Sequence, residues 1–139
     1  MKAALVGNPN AGKTSVFNLL TGLNQKVENY PGITVDKKWG HFNYQGTDAE
    51  FLDLPGLYSI YPKSQDEEVV FQVLRQKDHR DHPDLVIVVM DATNLERNLF
   101  LATQILDLGI PTLLIANMID LMDKDQVGVN LEKLSELLG

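Results

Sequence analysis

Lys13 and Thr14 close an eight-residue stretch, Gly7-Asn8-Pro9-Asn10-Ala11-Gly12-Lys13-Thr14, that fits the pattern G-x-x-x-x-G-K-[ST]. Residues of these types at this spacing suit one chemistry, the gripping of a chain of phosphates. The glycines let the backbone curl so that successive N–H groups aim at phosphate oxygens, and a helix starting at Lys13 adds its positive dipole end. Lys13 brings a full charge to the β and γ phosphates, and the Thr14 hydroxyl can ligate Mg²⁺. Asn8, Pro9, Asn10, Ala11, Gly12 and the adjoining Ser15 complete the phosphate-contacting set. The bland alternative makes the glycines a turn and Lys13 a solvated residue. A cation at a helix N-terminus, however, opposes the dipole and needs an anion to justify it.

Two further segments could sense the terminal phosphate. Asp53-Leu54-Pro55-Gly56 matches D-x-x-G; Asp53 would hold Mg²⁺ through a water and the Gly56 N–H would contact the γ-phosphate. Alone, the tetrapeptide reads as a turn, but its order behind a phosphate loop favours the functional reading. Upstream, Tyr30-Pro31-Gly32-Ile33-Thr34-Val35 reads as an aperiodic loop. Thr34 there can offer a hydroxyl to Mg²⁺ and an N–H to the γ-phosphate, or can simply be a β-branched residue opening a strand. If both loops touch the γ-phosphate, hydrolysis releases them and creates a switch. Leu57 occupies the place after D-x-x-G where small GTPases carry a water-orienting Gln, and its side chain cannot hold water.

Asn117-Met118-Ile119-Asp120 resembles the N-K-x-D box. Asp120 can accept two hydrogen bonds from the guanine N1–H and exocyclic amine, which adenine cannot offer, and this makes GTP the expected substrate. Asn117 would brace the base pocket and the phosphate loop, while Met118 replaces the usual lysine. The alternative is an Asn and an Asp capping a loop. The last guanine-contacting loop is expected beyond Gly139.

These residues need a scaffold of strands with loops at their carboxyl ends. Apolar runs at Ala3 to Val6, Leu85 to Met90 and Thr112 to Ala116 predict buried parallel strands. Helical patterns follow Lys13 as far as Gly22, follow Ser64 and Glu67 with Val69, Val70, Val73 and Leu74, and begin after Asn130 with Leu131, Leu134, Leu137 and Leu138. Another starts at Thr93 and Glu96, which have capping-box spacing, and places Leu95, Leu99, Ala102 and Leu106 on one face until Gly109. Strands at about Lys37 to Phe42 and Ala49 to Leu52, joined by Asn43-Tyr44-Gln45-Gly46, predict a hairpin and hence one antiparallel strand. The expected class is an α/β P-loop NTPase with a small-GTPase-like, mostly parallel sheet and helices on both faces. Residues 1–139 are expected to be one G domain, ending before a final strand and helix.

Composition removes several alternatives. A length of 139 residues suits one domain, and 44% apolar with 22% charged residues suits a globular chain. The net charge of −7 opposes a broad nucleic-acid surface. Cysteine is absent, which removes disulfides, thiol catalysis and thiolate metal sites. No signal-peptide pattern precedes the phosphate loop, and no apolar run approaches the roughly 20 residues of a membrane span. His41, His79 and His82 lack carboxylates at ligand spacing, so surface or turn roles are expected. Asp66, Glu67 and Glu68 suit a first helical turn, and Trp39 reads as a strand residue. Of Asp120, Asp123 and Asp125, a role is assigned only to the first.

Taken together with Asp91-Ala92-Thr93-Asn94-Leu95-Glu96-Arg97-Asn98-Leu99, these motifs resemble the N-terminal G domain of the ferrous iron transport protein B (FeoB) family. The resemblance covers nearly the whole chain. It implies a GTPase on the cytoplasmic side of the bacterial inner membrane, joined in one protein to a helical regulatory domain and a Fe²⁺-transporting membrane domain. Switch loops would regulate Fe²⁺ uptake, and assembly into an oligomer stays open. It also implies slow, K⁺-stimulated turnover, because Asn10 resembles the asparagine with which K⁺-activated GTPases help ligate K⁺ beside the phosphates. Backbone groups of the Lys26 to Ile33 loop would complete that site, with K⁺ in the electrostatic role of an arginine finger. Rival readings are a ribosome- or tRNA-associated GTPase, which normally carries Asn-Lys-x-Asp and Asp-Thr-Ala-Gly, and a P-loop kinase or ATPase with a chance Asn-x-x-Asp.

Overall fold

The fold is a doubly covered sheet whose motif-bearing loops gather at one edge. A computed structural model describes residues 1–122 and 130–139. Asp123 and Asp125 lie outside the described residues. In chain order the elements are β1 (Lys2–Gly7), α1 (Lys13–Thr21), β2 (Gln25–Asn29), β3 (Asp36–Tyr44), β4 (Thr47–Asp53), α2 (Gln65–Arg75), β5 (Leu85–Asp91), α3 (Leu95–Leu106), β6 (Thr112–Asn117) and α4 (Leu131–Leu138).

Among the described residues the strands form one six-stranded sheet in the order β2-β3-β4-β1-β5-β6. β1 pairs in parallel with β4 and β5, and β5 in parallel with β6. β3 runs antiparallel to both neighbours, as the short hairpin required. Pairing extends to Tyr44 and Thr47, so the loop is the dipeptide Gln45-Gly46, with φ of 50° and 82°. Two consecutive positive φ values give the turn whose twist matches that of the strands.

Apolar residues alternate across the central strands and feed two cores. Ala4, Val6, Val86, Val88 and Met90 face α2 and α3, packing with Val70, Val73, Leu101, Ala102 and Ile105. Ala3, Leu5, Ile87 and Val89 face the other way, onto Phe17 of α1. Covering both faces produces the nearly continuous apolar runs of β1 and β5. Phe17 is fully buried, and truncating it to Ala would cost about 3–5 kcal/mol.

Three expectations change. Gln25 to Asn29 is a strand, every residue of it exposed, so the loop assigned to Lys26 to Ile33 begins only at Tyr30. An edge strand with no buried face carries no hydrophobic alternation by which to recognise it. Thr93 does not cap α3: it lies in a 3-10 turn, its N–H and hydroxyl both bonded to Asp91 Oδ1, and Asn94 is the N-cap. The buried stripe of α3 is consequently Asn98, Leu101, Ala102 and Ile105, with Leu95 and Leu99 only partly buried. β6 is half-exposed rather than buried, because β5 is its one neighbour among the described residues.

Candidate functional site

The parallel register sets Leu5 beside both Asp53 and Ile87, and Asp91 beside Asn117. The carboxyl ends of β1, β4, β5 and β6 therefore share one edge of the sheet, where open α/β sheets bind ligands. Three of the predicted boxes are continuations of these strands.

The phosphate loop is held by its own backbone and by a distant side chain. Ala11 N–H donates to Asn8 O at 3.2 Å, and Asn117 Nδ2 donates to Ala11 O at 3.0 Å. Gly12 caps α1 with φ of 85°. A Cβ at Gly12 would collide with Asn117 Nδ2, so the close approach of the two boxes requires glycine. Asn10 also has a positive φ, 65°. Asn8 is buried, and neither amide atom has a hydrogen-bond partner among the described residues.

Around this loop lie two cavities. One, of about 450 Å³, is lined by Asn8, Pro9, Asn10, Gly12, Lys13, Thr14, Ser15 and Gly56. Gly56 packs on Pro9 so closely that an added Cβ would stand 3.2 Å from Pro9 N. The other, of about 340 Å³, brings together Lys13, Thr14, Thr34, Asp53 and Asp66. Lys13 Nζ bonds Asp53 Oδ1, with both side chains largely buried. Thr14, Thr34 and Asp53 are hard oxygen donors on one cavity, and one carboxylate with hydroxyls beside a phosphate site suits Mg²⁺ better than a softer metal. The residues therefore fit the ion.

Asn10 and Thr34 stand on different cavities, which share Lys13 and Thr14. The base box begins at the end of β6 and turns through Met118, whose φ is 61°, into a 3-10 turn of Ile119–Leu121. Asp120 is exposed on that turn. The Asp91-to-Leu99 motif proves to be an architectural junction. Asn98 Oδ1 accepts from Asp91 N–H at 3.1 Å, and Asn98 Nδ2 donates to Asn94 O at 2.8 Å.

Sequence reasoning missed two side chains beside the Tyr30-to-Val35 and Asp53-to-Gly56 segments. Tyr30 is 5% exposed and packs with Val35, Leu54 and Leu57. Its N–H donates to Val35 O at 3.0 Å, pinching the Pro31-to-Thr34 loop at its neck. Lys37 lies over the Tyr30 ring at 5.9 Å and bonds Asp81 Oδ1 at 2.6 Å. Burial raises the Tyr30 phenol well above its ordinary pKa, and Asp81 and Asp53 push it further. Gln104 of α3 bonds the loop after Gly56. Neither was assigned a role, since Leu54, Leu57 and Asp81 lie far from Tyr30 in the chain and Ser59 and Ile60 lie far from Gln104.

The histidines occupy structural positions. His82 Nδ1 lies 3.1 Å from Val73 O, His79 Nδ1 accepts from Asp81 N–H at 3.1 Å, and His41 meets the Trp39 ring edge-on. No group of three or more His, Cys, Asp or Glu among the described residues could hold a metal. No described helix is long and apolar enough to cross a membrane.

Residues 1–139 match the family described as ferrous iron transport protein B. The chain is 44% identical to the Fe(2+) transporter FeoB of Leptospira biflexa over 135 residues, covering 97% of this chain and 19% of that one. A crystal structure of an S. thermophilus NFeoB mutant bound to GDP is 44% identical, covers 98% of this chain and 52% of that chain, and superposes with a TM-score of 0.84. The cytosolic domain of L. pneumophila FeoB is 43% identical, with 99% of this chain and 53% of that chain covered and a TM-score of 0.88. The chain thus spans about half of these solved relatives and about a fifth of the transporter.

Proposed function

Because this chain belongs to the ferrous iron transport protein B family, we propose that it binds GTP and hydrolyses it to GDP and phosphate as the G domain of an iron transporter. The observation that carries this reading is the Asn117-to-Ala11 hydrogen bond. It ties the segment bearing Asp120 to the loop that would hold the phosphates, so that one ligand can span both. A relative of this fold is described as bound to GDP.

In the bound state the backbone N–H groups from Asn10 to Thr14 would surround the phosphates, joined by the start of α1. Lys13 would exchange its bond to Asp53 for phosphate oxygens. Thr14 and Thr34, with Asp53 through a water, would hold Mg²⁺, whose charge would offset that developing on the phosphates. Thr34 and Gly56 present N–H groups to the γ-phosphate. Asp120 accepts from the two guanine donors, Asn117 braces the pocket, and Met118 lies against the base. Leu57, fully buried, cannot orient the attacking water, and slow turnover is expected for that reason.

Asn10, exposed on the phosphate cavity, is the side chain proposed to hold K⁺, with carbonyls from the Tyr30 to Ile33 segment. GTP turnover should be faster in KCl than in NaCl at equal ionic strength, and equal rates would remove K⁺ from the mechanism. Thr34 and Gly56 release on hydrolysis, and we assign that change to control of Fe²⁺ uptake by a membrane domain of the same protein. A helical regulatory domain and a place on the cytoplasmic side of the bacterial inner membrane belong to the same proposal.

Competition binding tests the nucleotide assignment: GTP should displace labelled GDP, and ATP should not. Asp120→Asn should weaken guanine binding by about 1.5 to 3 kcal/mol, the worth of hydrogen bonds to a charged acceptor. ATP competing as well as GTP, or unchanged affinity in the variant, would defeat the guanine reading.

A further inference from the structure

The segment from Leu54 to Tyr61 has no regular secondary structure, yet it is fixed along its length. Leu54 N–H donates to Leu5 O at 3.2 Å and Leu57 N–H to Gly7 O at 3.2 Å, while Gly56 abuts Pro9. These anchors come from β1 and the phosphate loop. The next comes from a different element. Gln104 Oε1 accepts from Ile60 N–H at 3.0 Å and from the Ser59 hydroxyl at 3.1 Å.

α3 is a firm post for such a bond, since Leu101, Ala102 and Ile105 on its buried stripe are at most 1% exposed. Ile60 is itself buried and its bond to Gln104 is partly shielded from water, so loss of the amide oxygen would leave that N–H without its protein acceptor. A backbone N–H can only donate, which fixes the atom facing it as the amide oxygen of Gln104. Leu57 and Ile60 thus brace the two sides of a short arc that begins at Gly56. The arc cannot drift without breaking one of these bonds.

We propose that Gln104 is a positioning residue for the γ-phosphate contact: from α3 it holds the Leu57-to-Ile60 arc so that the Gly56 N–H is pre-set for GTP. The proposal rests on the GTPase reading given above. GDP has no γ-phosphate, so the clamp should act on GTP and leave GDP affinity alone. An oxygen acceptor at this reach is all the geometry asks. Glu should therefore substitute for Gln, and Met, of similar shape without the acceptor, should not.

The test compares Gln104→Met and Gln104→Glu with the wild-type chain. Amide hydrogen exchange without nucleotide should show Ile60 protected in the wild type and in Gln104→Glu, and deprotected in Gln104→Met. Binding of GTPγS relative to GDP should fall about tenfold in Gln104→Met, the worth of one hydrogen bond, with GDP affinity unchanged and Gln104→Glu restoring the ratio. An unaltered ratio in Gln104→Met, an equal loss for GDP, or equal damage by both substitutions would overturn the proposal. A wild-type chain that bound neither nucleotide would count against the GTPase reading instead. Ile60 protection, measured without ligand, would still decide whether the clamp exists.

Discussion

Tyr30 shows how much of the Tyr30-to-Val35 loop rests on one buried side chain. Its ring joins the core beside Val35, Leu54 and Leu57, while its hydroxyl has no hydrogen-bond partner among the described residues. Removing that hydroxyl takes away a buried polar group without opening a large cavity, so Tyr30→Phe should be neutral or stabilising by about 1 kcal/mol. The pH dependence gives a sharper signature. The folded-state pKa is raised above the ordinary value of 10.0, so the unfolded chain loses this proton first as pH rises. Stability is then unaffected below pH 10 and falls above it by about 1.4 kcal/mol per pH unit. Denaturant melts of wild type and Tyr30→Phe should run parallel below pH 9 and diverge above pH 10, with the wild type losing stability faster. Parallel curves throughout would mean that Tyr30 ionises freely in the folded chain. None of this was legible in the sequence, because the groups that act on Tyr30 include Asp81, brought close by the fold. The expectations for Lys13, Thr14, Asp53 and Gly56 came from the sequence, since phosphate and Mg²⁺ chemistry would dictate both their types and their order, and the structure brings these residues to two adjoining cavities.

Among the elements, legibility followed burial. β1 and β5 are covered on both faces and announce themselves as apolar runs. Ser64 N-caps α2, accepting from Glu67 N–H at 3.3 Å, as the capping-box spacing indicated. The reciprocal arm differs: Glu67 Oε2 accepts from Lys63 N–H at 2.6 Å instead of from the cap residue itself. β2 stayed hidden because its ladder to β3 is made by backbone groups, which leave no trace in residue type. The expected face of α3 packs only in part: Ala102 is buried and Leu95 and Leu99 lie against the core, while the buried stripe is rotated toward Asn98, Leu101 and Ile105. Its buried stripe includes the polar Asn98, which hydropathy alone places outside. Yet Asn98 is the pin that closes the β5-to-α3 junction. A polar residue on the buried face of a helix is therefore a better sign of a specific junction than the apolar residues around it.

Across the whole molecule, stability should be graded from the centre of the sheet to its edges, and the grading has a functional side. β1 lies between β4 and β5, and its residues from Ala3 to Val6 are at most 1% exposed. β2 is an edge strand with every residue exposed, and α4 has no buried residue. Amides of Leu5, Val6 and Val88 should exchange only through global unfolding, at about 5–15 kcal/mol for a domain of this size, and should respond steeply to urea. Hydrogen-bonded amides of β2 and α4 should exchange through local opening at a few kcal/mol or less, with little urea dependence. The Tyr30-to-Val35 loop joins β2 to β3, so the segment proposed to sense the γ-phosphate hangs from an exposed edge strand, while Gly7 and Asp53 end strands at the sheet centre. In the proposed GTPase such a scaffold would keep the phosphate loop rigid and leave the Tyr30-to-Val35 loop room to move. Addition of Mg²⁺ and GTPγS should accordingly raise protection in β2 and the following loop more than in β1. If β2 were as protected as β1 before nucleotide is added, the sheet would open as one unit, and the switch would have to be confined to Pro31 through Thr34.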